Sequence, residues 1–104
     1  MRIGRVRFLD DRPISYEEVV LPLSRFPLIG RNGEIATDIF ELARQHGLTL
    51  GIARERASTV QARRDVAAYL RVSEGTRLLK LDRIVSTADG TPIEWRVSFS
   101  VSSE

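Results

Sequence analysis

Asp11-Arg12-Pro13-Ile14-Ser15-Tyr16 and Gly90-Thr91-Pro92-Ile93-Glu94-Trp95 carry one phrase twice: a turn, then Pro-Ile, a polar residue and an aromatic. Each copy follows a β-like run and leads into another, so one hairpin device is used at both ends of the chain. Each places polar side chains at alternating positions beside an apolar set, and such a face either meets water or lines a ligand pocket. The repeat points to a binding module rather than a catalytic motif.

Outward from the first copy, Arg5 to Leu9 alternates with period two and ends at the turn Asp10-Asp11-Arg12-Pro13. Ile14 to Leu21 alternates again and completes a hairpin. Pro22, Pro27, Gly30 and Gly33 make residues 22–33 a connecting loop. From about Glu34 to His46 the period becomes helical, with Ile35, Ile39, Leu42 and Ala43 on one stripe. Asn32, Thr37 or Asp38 is placed to cap its start and Gly47 to end it.

Residues 48–60 return to a strand-like pattern that Gly51 weakens. Val66, Ala67 and Leu70 share the face of a short second helix that ends by Ser73-Glu74-Gly75. Leu78 to Val85 is a strand, Ala88-Asp89-Gly90 a turn, and Ile93 to Val101 the last strand. That strand directs Ile93, Trp95, Val97, Phe99 and Val101 to the core, and Glu94, Arg96, Ser98 and Ser100 the other way. The order β-β-α-β-α-β-β predicts an α+β domain with a mostly antiparallel sheet. If the two hairpins join in one sheet, their polar faces converge.

At 104 residues the chain forms one domain with one modest core. No apolar run reaches the ~18 residues of a membrane span, and the N-terminus lacks the apolar segment of a secretory signal. With no cysteine there is no disulfide or thiolate site. The expected compartment is the cytoplasm. The isoelectric point of about 9.7 overstates the basic character, because the formal net charge is only +2 and arginine supplies all cations but Lys80. The arginines are dispersed among acids rather than clustered as a nucleic-acid footprint.

Several segments, taken in order, resemble one family. They are Arg5-x-Arg7, Asp11-x-Pro13-Ile14, Val20-Leu21-Pro22 and Asp38-Ile39-Phe40-Glu41. Further on come Ala67-x-x-Leu70-x-Val72-x-x-Gly75, Leu78-Leu79-x-Leu81-x-Arg83, and Asp89-Gly90-x-Pro92-Ile93-Glu94. Together they resemble the UTRA domain, the effector-binding half of bacterial transcription regulators of the GntR/HutC type. The resemblance implies the fold of chorismate lyase, a homodimer, no cofactor and no enzymatic activity. It also implies a truncated chain, residues 1–104 being a ligand-binding domain whose winged helix-turn-helix, the reader of operator DNA, lies outside it. The expected partner is a small anionic or polar metabolite; no membrane is involved.

Arg5 and Arg7 lie two apart on a strand and therefore share a face, forming a cationic fork suited to phosphate or carboxylate. In the family these arginines meet the anionic group of the effector. Glu17 and Glu94 fall where the family has acidic pocket residues, and Arg96 is on the side of Glu94. Relatives that bind sugar phosphates show Ser-x-Tyr where this chain has Asp38-Ile39-Phe40, and Ser100 replaces an aromatic found in some of them. These departures favour a generic small anion or a zwitterion. As residues alone, Asp38 is equally a helix N-cap and the arginines equally solvated surface. His46, the only histidine, suits a helix C-terminus, and no metal-ligand set is present. Two other readings are a chorismate lyase-like enzyme and a dimerisation module with no ligand, in which a strand such as Leu78 to Val85 pairs across a two-fold axis.

Overall fold

The computed structural model describes residues 1–27, 29–30 and 38–101. Two Pro-Ile hairpins join edge to edge and supply four strands of a five-stranded antiparallel sheet. The strands are β1 (Arg2–Leu9), β2 (Arg12–Val20), β3 (Leu50–Gln61), β4 (Arg77–Thr87) and β5 (Pro92–Ser100), in the spatial order β1-β2-β5-β4-β3. Two short helices, α1 (Ile39–Gln45) and α2 (Arg64–Leu70), complete the α+β fold.

The repeated phrase has a structural counterpart. Arg7 pairs with Ser15 and Phe8 with Pro13, so Ile14 is an extra residue in β2. Val85 pairs with Glu94 and Ser86 with Pro92, so Ile93 is an extra residue in β5. Both copies of Pro-Ile are therefore β-bulges, where the unpaired residue breaks the alternation and re-aims its neighbours. Proline suits the position because it has no backbone N–H to leave unpaired. The first turn is narrower than expected: Asp10 and Asp11 both have positive φ (51° and 63°), which joins Leu9 to Arg12 in two residues and leaves Pro13 inside the strand.

The sheet has a core on each face. One contains Tyr16, Phe99, Leu78 and the α2 residues Val66, Ala67 and Leu70. The other contains Val19, Leu21, Phe26, Val85, Ile93 and the α1 residues Ile39 and Leu42. The single core expected from the alternation of β5 is thus divided. Ile93 leaves the face of Phe99 through the bulge and packs under α1. Trp95, expected in the core, is 46% exposed because α2 stops short of it; its indole Nε1 donates to Asp82 Oδ1 at 2.8 Å. Phe8, near the end of β1, is exposed as well.

Asp38 caps α1, its Oδ1 accepting from the Phe40 N–H at 2.9 Å. Gly47, at φ 65°, ends the helix as expected, and His46 closes on the Leu42 carbonyl through Nδ1 at 2.9 Å. The part of this helix expected over residues 34–37 lies outside the described residues, as do the expected caps Asn32 and Thr37. Gly51 permits rather than weakens the start of β3: a Cβ there would lie 2.5 Å from the Thr87 carbonyl oxygen. β4 is interior, with β5 on one side and β3 on the other. It has no free edge for a partner strand, contrary to the expected pairing of Leu78 to Val85 across a two-fold. The edges of the sheet are β1 and β3.

Candidate functional site

Cross-strand register gathers the charged residues on the sheet face that carries α1. Arg5 stands opposite Glu17, Glu17 opposite Ser98, and Arg96 opposite Arg83. Directly opposed residues in an antiparallel sheet project to the same side. Glu94, two residues before Arg96 and past the Ile93 bulge, projects to the same side, opposite Val85.

These side chains form a continuous ladder across four strands. Arg5 donates from Nε to Glu17 Oε1 at 2.6 Å, with its Nη2 at 2.5 Å from the same oxygen. Arg96 reaches both oxygens of Glu17 from Nη1, at 3.3 and 3.4 Å. Its Nη2 donates to Glu94 Oε2 at 2.9 Å. Arg83 closes the series, its Nη2 and Nε donating to Glu94 Oε1 at 2.6 and 3.2 Å. Glu17 and Glu94 are 5% and 2% exposed. Each carboxylate is shared by two guanidiniums, as burial of a charge requires.

The ladder holds three cations and two anions. Its carboxylates are enclosed, whereas the end guanidiniums, Arg5 and Arg83, keep part of their surface in water. A guanidinium has five N–H donors and no acceptor, so the unspent hydrogen-bonding capacity of this face is cationic. Arg7 adds to it: one row further along β1, it is exposed and opposite Ser15, with no ion pair among the described residues. The fork of Arg5 and Arg7 is therefore asymmetric, one member braced by Glu17 and the other free to reach.

An open hollow bounded by Thr59, Val60, Gln61, Gly75 and Arg77 lies at the far end of β3. It supplies one cation and no buried polar side chain, and the charge ladder is the stronger candidate.

A family model described as the UTRA domain matches residues 1–104. The chain belongs to the UTRA domain family. Among solved structures, a GntR-family transcriptional regulator from Enterococcus faecalis V583 is similar at 29% identity and TM-score 0.86, over 98% of this chain and 73% of that one. The effector domain of PhnF from Mycobacterium smegmatis is similar at 21% identity and TM-score 0.85, over 99% of this chain and 64% of that one. The C-terminal domain of Yurk from Bacillus subtilis is similar at 23% identity and TM-score 0.81, over 96% and 69%. These last two likenesses concern the fold. No curated protein matches the chain. Family and fold together make this a ligand-sensing regulatory domain with the chorismate lyase-like architecture.

Within this UTRA domain, Arg5, Glu17, Glu94 and Arg96 are joined in one network, and Arg7 and Ser100 share its sheet face. Asp38 and Phe40 stand apart. Asp38 is occupied as the cap of α1, and the Phe40 side chain is exposed. Arg83 was absent from the candidate set, although it pairs with Glu94 more closely than Arg96 does. The two-residue alternation Leu79-x-Leu81-x-Arg83, paired across the last hairpin, is the signal that locates it.

Proposed function

We propose that the domain senses a small organic anion, which Arg5 and Arg7 anchor on the charged sheet face. The observation that carries this reading is the ladder: two buried carboxylates committed to three guanidiniums, with an unpaired Arg7 beside them. Glu17 and Glu94 then serve chiefly to hold the guanidiniums in place, and an anion takes the remaining N–H donors in bidentate fashion. Ser100 supplies a hydroxyl to the same floor. Asp38 and Phe40, at the start of α1, border the ligand only if that helix closes over the face.

In the parent protein, sensing is coupled to operator DNA through a winged-helix domain outside this chain, in a cytoplasmic homodimer and without enzymatic turnover or a cofactor. The family membership and the GntR-family regulator among the similar structures support this placement. Coupling requires that the ligand favour one arrangement of the domain over another.

A thermal-shift screen of phosphosugars, amino acids and small carboxylates tests the reading, with each hit repeated on Arg7→Ala. A stabilising anion that loses its effect in the variant is the expected result. The absence of any stabilising anion, or an anion that binds the variant equally well, would refute it.

A further inference from the structure

Beyond the guanidiniums, the charged face continues into residues that neither core uses. Register places Arg7, Ser15, Ser100 and Leu79 in one row across β1, β2, β5 and β4. The next row is Arg5, Glu17, Ser98 and Leu81. All eight side chains project to the same side of the sheet. The three serines are half-buried, and none makes a side-chain hydrogen bond among the described residues.

Leu79 and Leu81 are the anomaly. Neither belongs to a core cluster. On this face α1 packs on the end of the sheet that holds Val85 and Ile93, beyond Arg96 and Arg83, with Val19 level with those two arginines. Leu79 is left 47% exposed and Leu81 half-buried, at interior positions of the sheet where a β-strand residue ordinarily meets a covering layer. The first row thus runs from a cation, through two short hydroxyl side chains that leave space, to an uncovered leucine, and the second reaches Leu81 past the buried Glu17 and Ser98. With strands ~4.8 Å apart, three strand steps separate Arg7 from Leu79 by ~14 Å along the sheet. The reach of the arginine side chain leaves room for a ligand body of roughly six carbons between head and tail.

We infer that Leu79 and Leu81 are specificity residues, selecting an anion whose apolar tail lies across β5 onto β4 while its charged head sits at Arg5 and Arg7. This rests on the anion-sensing reading above and names its ligand class: an amphiphilic acid rather than a uniformly hydroxylated one. Serine at positions 15, 98 and 100 gives the tail a floor without bulk, and water displaced from the leucines favours binding in proportion to the apolar area covered.

The test is calorimetric titration with sodium acetate, butanoate, hexanoate and octanoate, and with gluconate as a hydroxylated six-carbon acid. The proteins are the native chain, Leu79→Asn, Leu81→Asn and Arg7→Ala. Leu79 is exposed, so its variant retains the fold, which circular dichroism checks for both leucine variants. In the native protein affinity should rise about two- to fourfold per methylene as far as hexanoate, and gluconate should bind more weakly than hexanoate. Either asparagine variant should flatten the dependence on chain length while acetate affinity stays within about twofold. Arg7→Ala should weaken the whole series.

Equal chain-length dependence in native and asparagine variants would overturn the inference, as would tighter binding of gluconate. If Arg7→Ala still weakens the anions in that case, the sensing reading survives without it. If none of these acids, nor any other anion, binds the native protein, both fall together.

Discussion

The two Pro-Ile hairpins begin from the same phrase and end in different surroundings. Tyr16 and Trp95 occupy equivalent positions in the repeat, yet Tyr16 is 7% exposed and Trp95 46%. Tyr16 lies in the core under α2 and stacks on Tyr69, the ring centroids 4.4 Å apart. Trp95 lies on the same face but beyond the reach of that helix, beside Ile84. The polar residue before each aromatic diverges as well. Ser15 is a half-buried hydroxyl, whereas Glu94 is a buried anion gripped by Arg83 and Arg96. A shared local device sets the bulge and the direction of the side chains. The layer placed above it decides what those side chains do.

The largest effect that would break the symmetry of the hairpins is at this polar position. Glu94→Ala removes the carboxylate that Arg83 pairs with and, among the described residues, one of the two carboxylates that hold Arg96. Breaking a buried pair leaves an uncompensated charge, and this should cost about 3 kcal/mol. The value lies at the low end of the usual range because the Arg83 guanidinium has a route to water. Ser15→Ala in the other hairpin should change stability by less than about 0.5 kcal/mol. Urea denaturation of both variants measures the difference, and equal midpoints would show that the ladder contributes nothing to the fold.

The aromatic position comes next. Tyr16→Ala empties a site between the sheet and α2 and should cost about 3 kcal/mol. Trp95→Ala loses one hydrogen bond to Asp82 and a half-exposed ring, about 1 kcal/mol. Thermal unfolding should therefore shift several degrees more for the tyrosine variant. A loss at Trp95 as large as that at Tyr16 would mean that something covers the tryptophan in solution.

How far this was legible in the sequence follows from the same pairs. Alternation located the strands β1, β2 and β5, and helical spacing located α1 and α2, because both signals arise within one element, whereas β3 was legible only as a weakened strand-like stretch. The convergence of the hairpins was also within reach, since the repeated phrase implies two similar polar faces. The division into two cores was not. It depends on the Ile93 bulge, which moves one residue to the opposite face, and on where α2 ends over the sheet. Periodicity carries no record of either. Arg5, Arg7, Glu17, Glu94 and Arg96 were found as separate candidates from strand spacing and family resemblance. Their union, and the addition of Arg83, needed the register between β2, β5 and β4, a long-range quantity. Asp38 shows the converse: its local reading as a helix cap sufficed, and the structure gives it that role.

The smallest effect separates the hairpins by pH. Burial, and then the Glu18 carboxylate that accepts the Tyr16 hydroxyl hydrogen, push the Tyr16 phenol from 10 up to about 12. Trp95, its counterpart, does not titrate. The folded chain therefore holds the Tyr16 proton more tightly than the unfolded chain does. Below pH 10 both states are protonated and the contribution to stability is complete. Between pH 10 and about 12 the unfolded phenol ionises first, so stability falls as pH rises. Tyr16→Phe removes the hydroxyl and its hydrogen bond, and should cost about 1 kcal/mol at neutral pH. The same change should flatten the decline above pH 10, so that the native and variant midpoints in urea approach each other as pH rises. Trp95→Phe should leave that slope untouched. Parallel native and Tyr16→Phe curves from pH 8 to 11.5 would show that the phenol is no more shielded than Trp95 is.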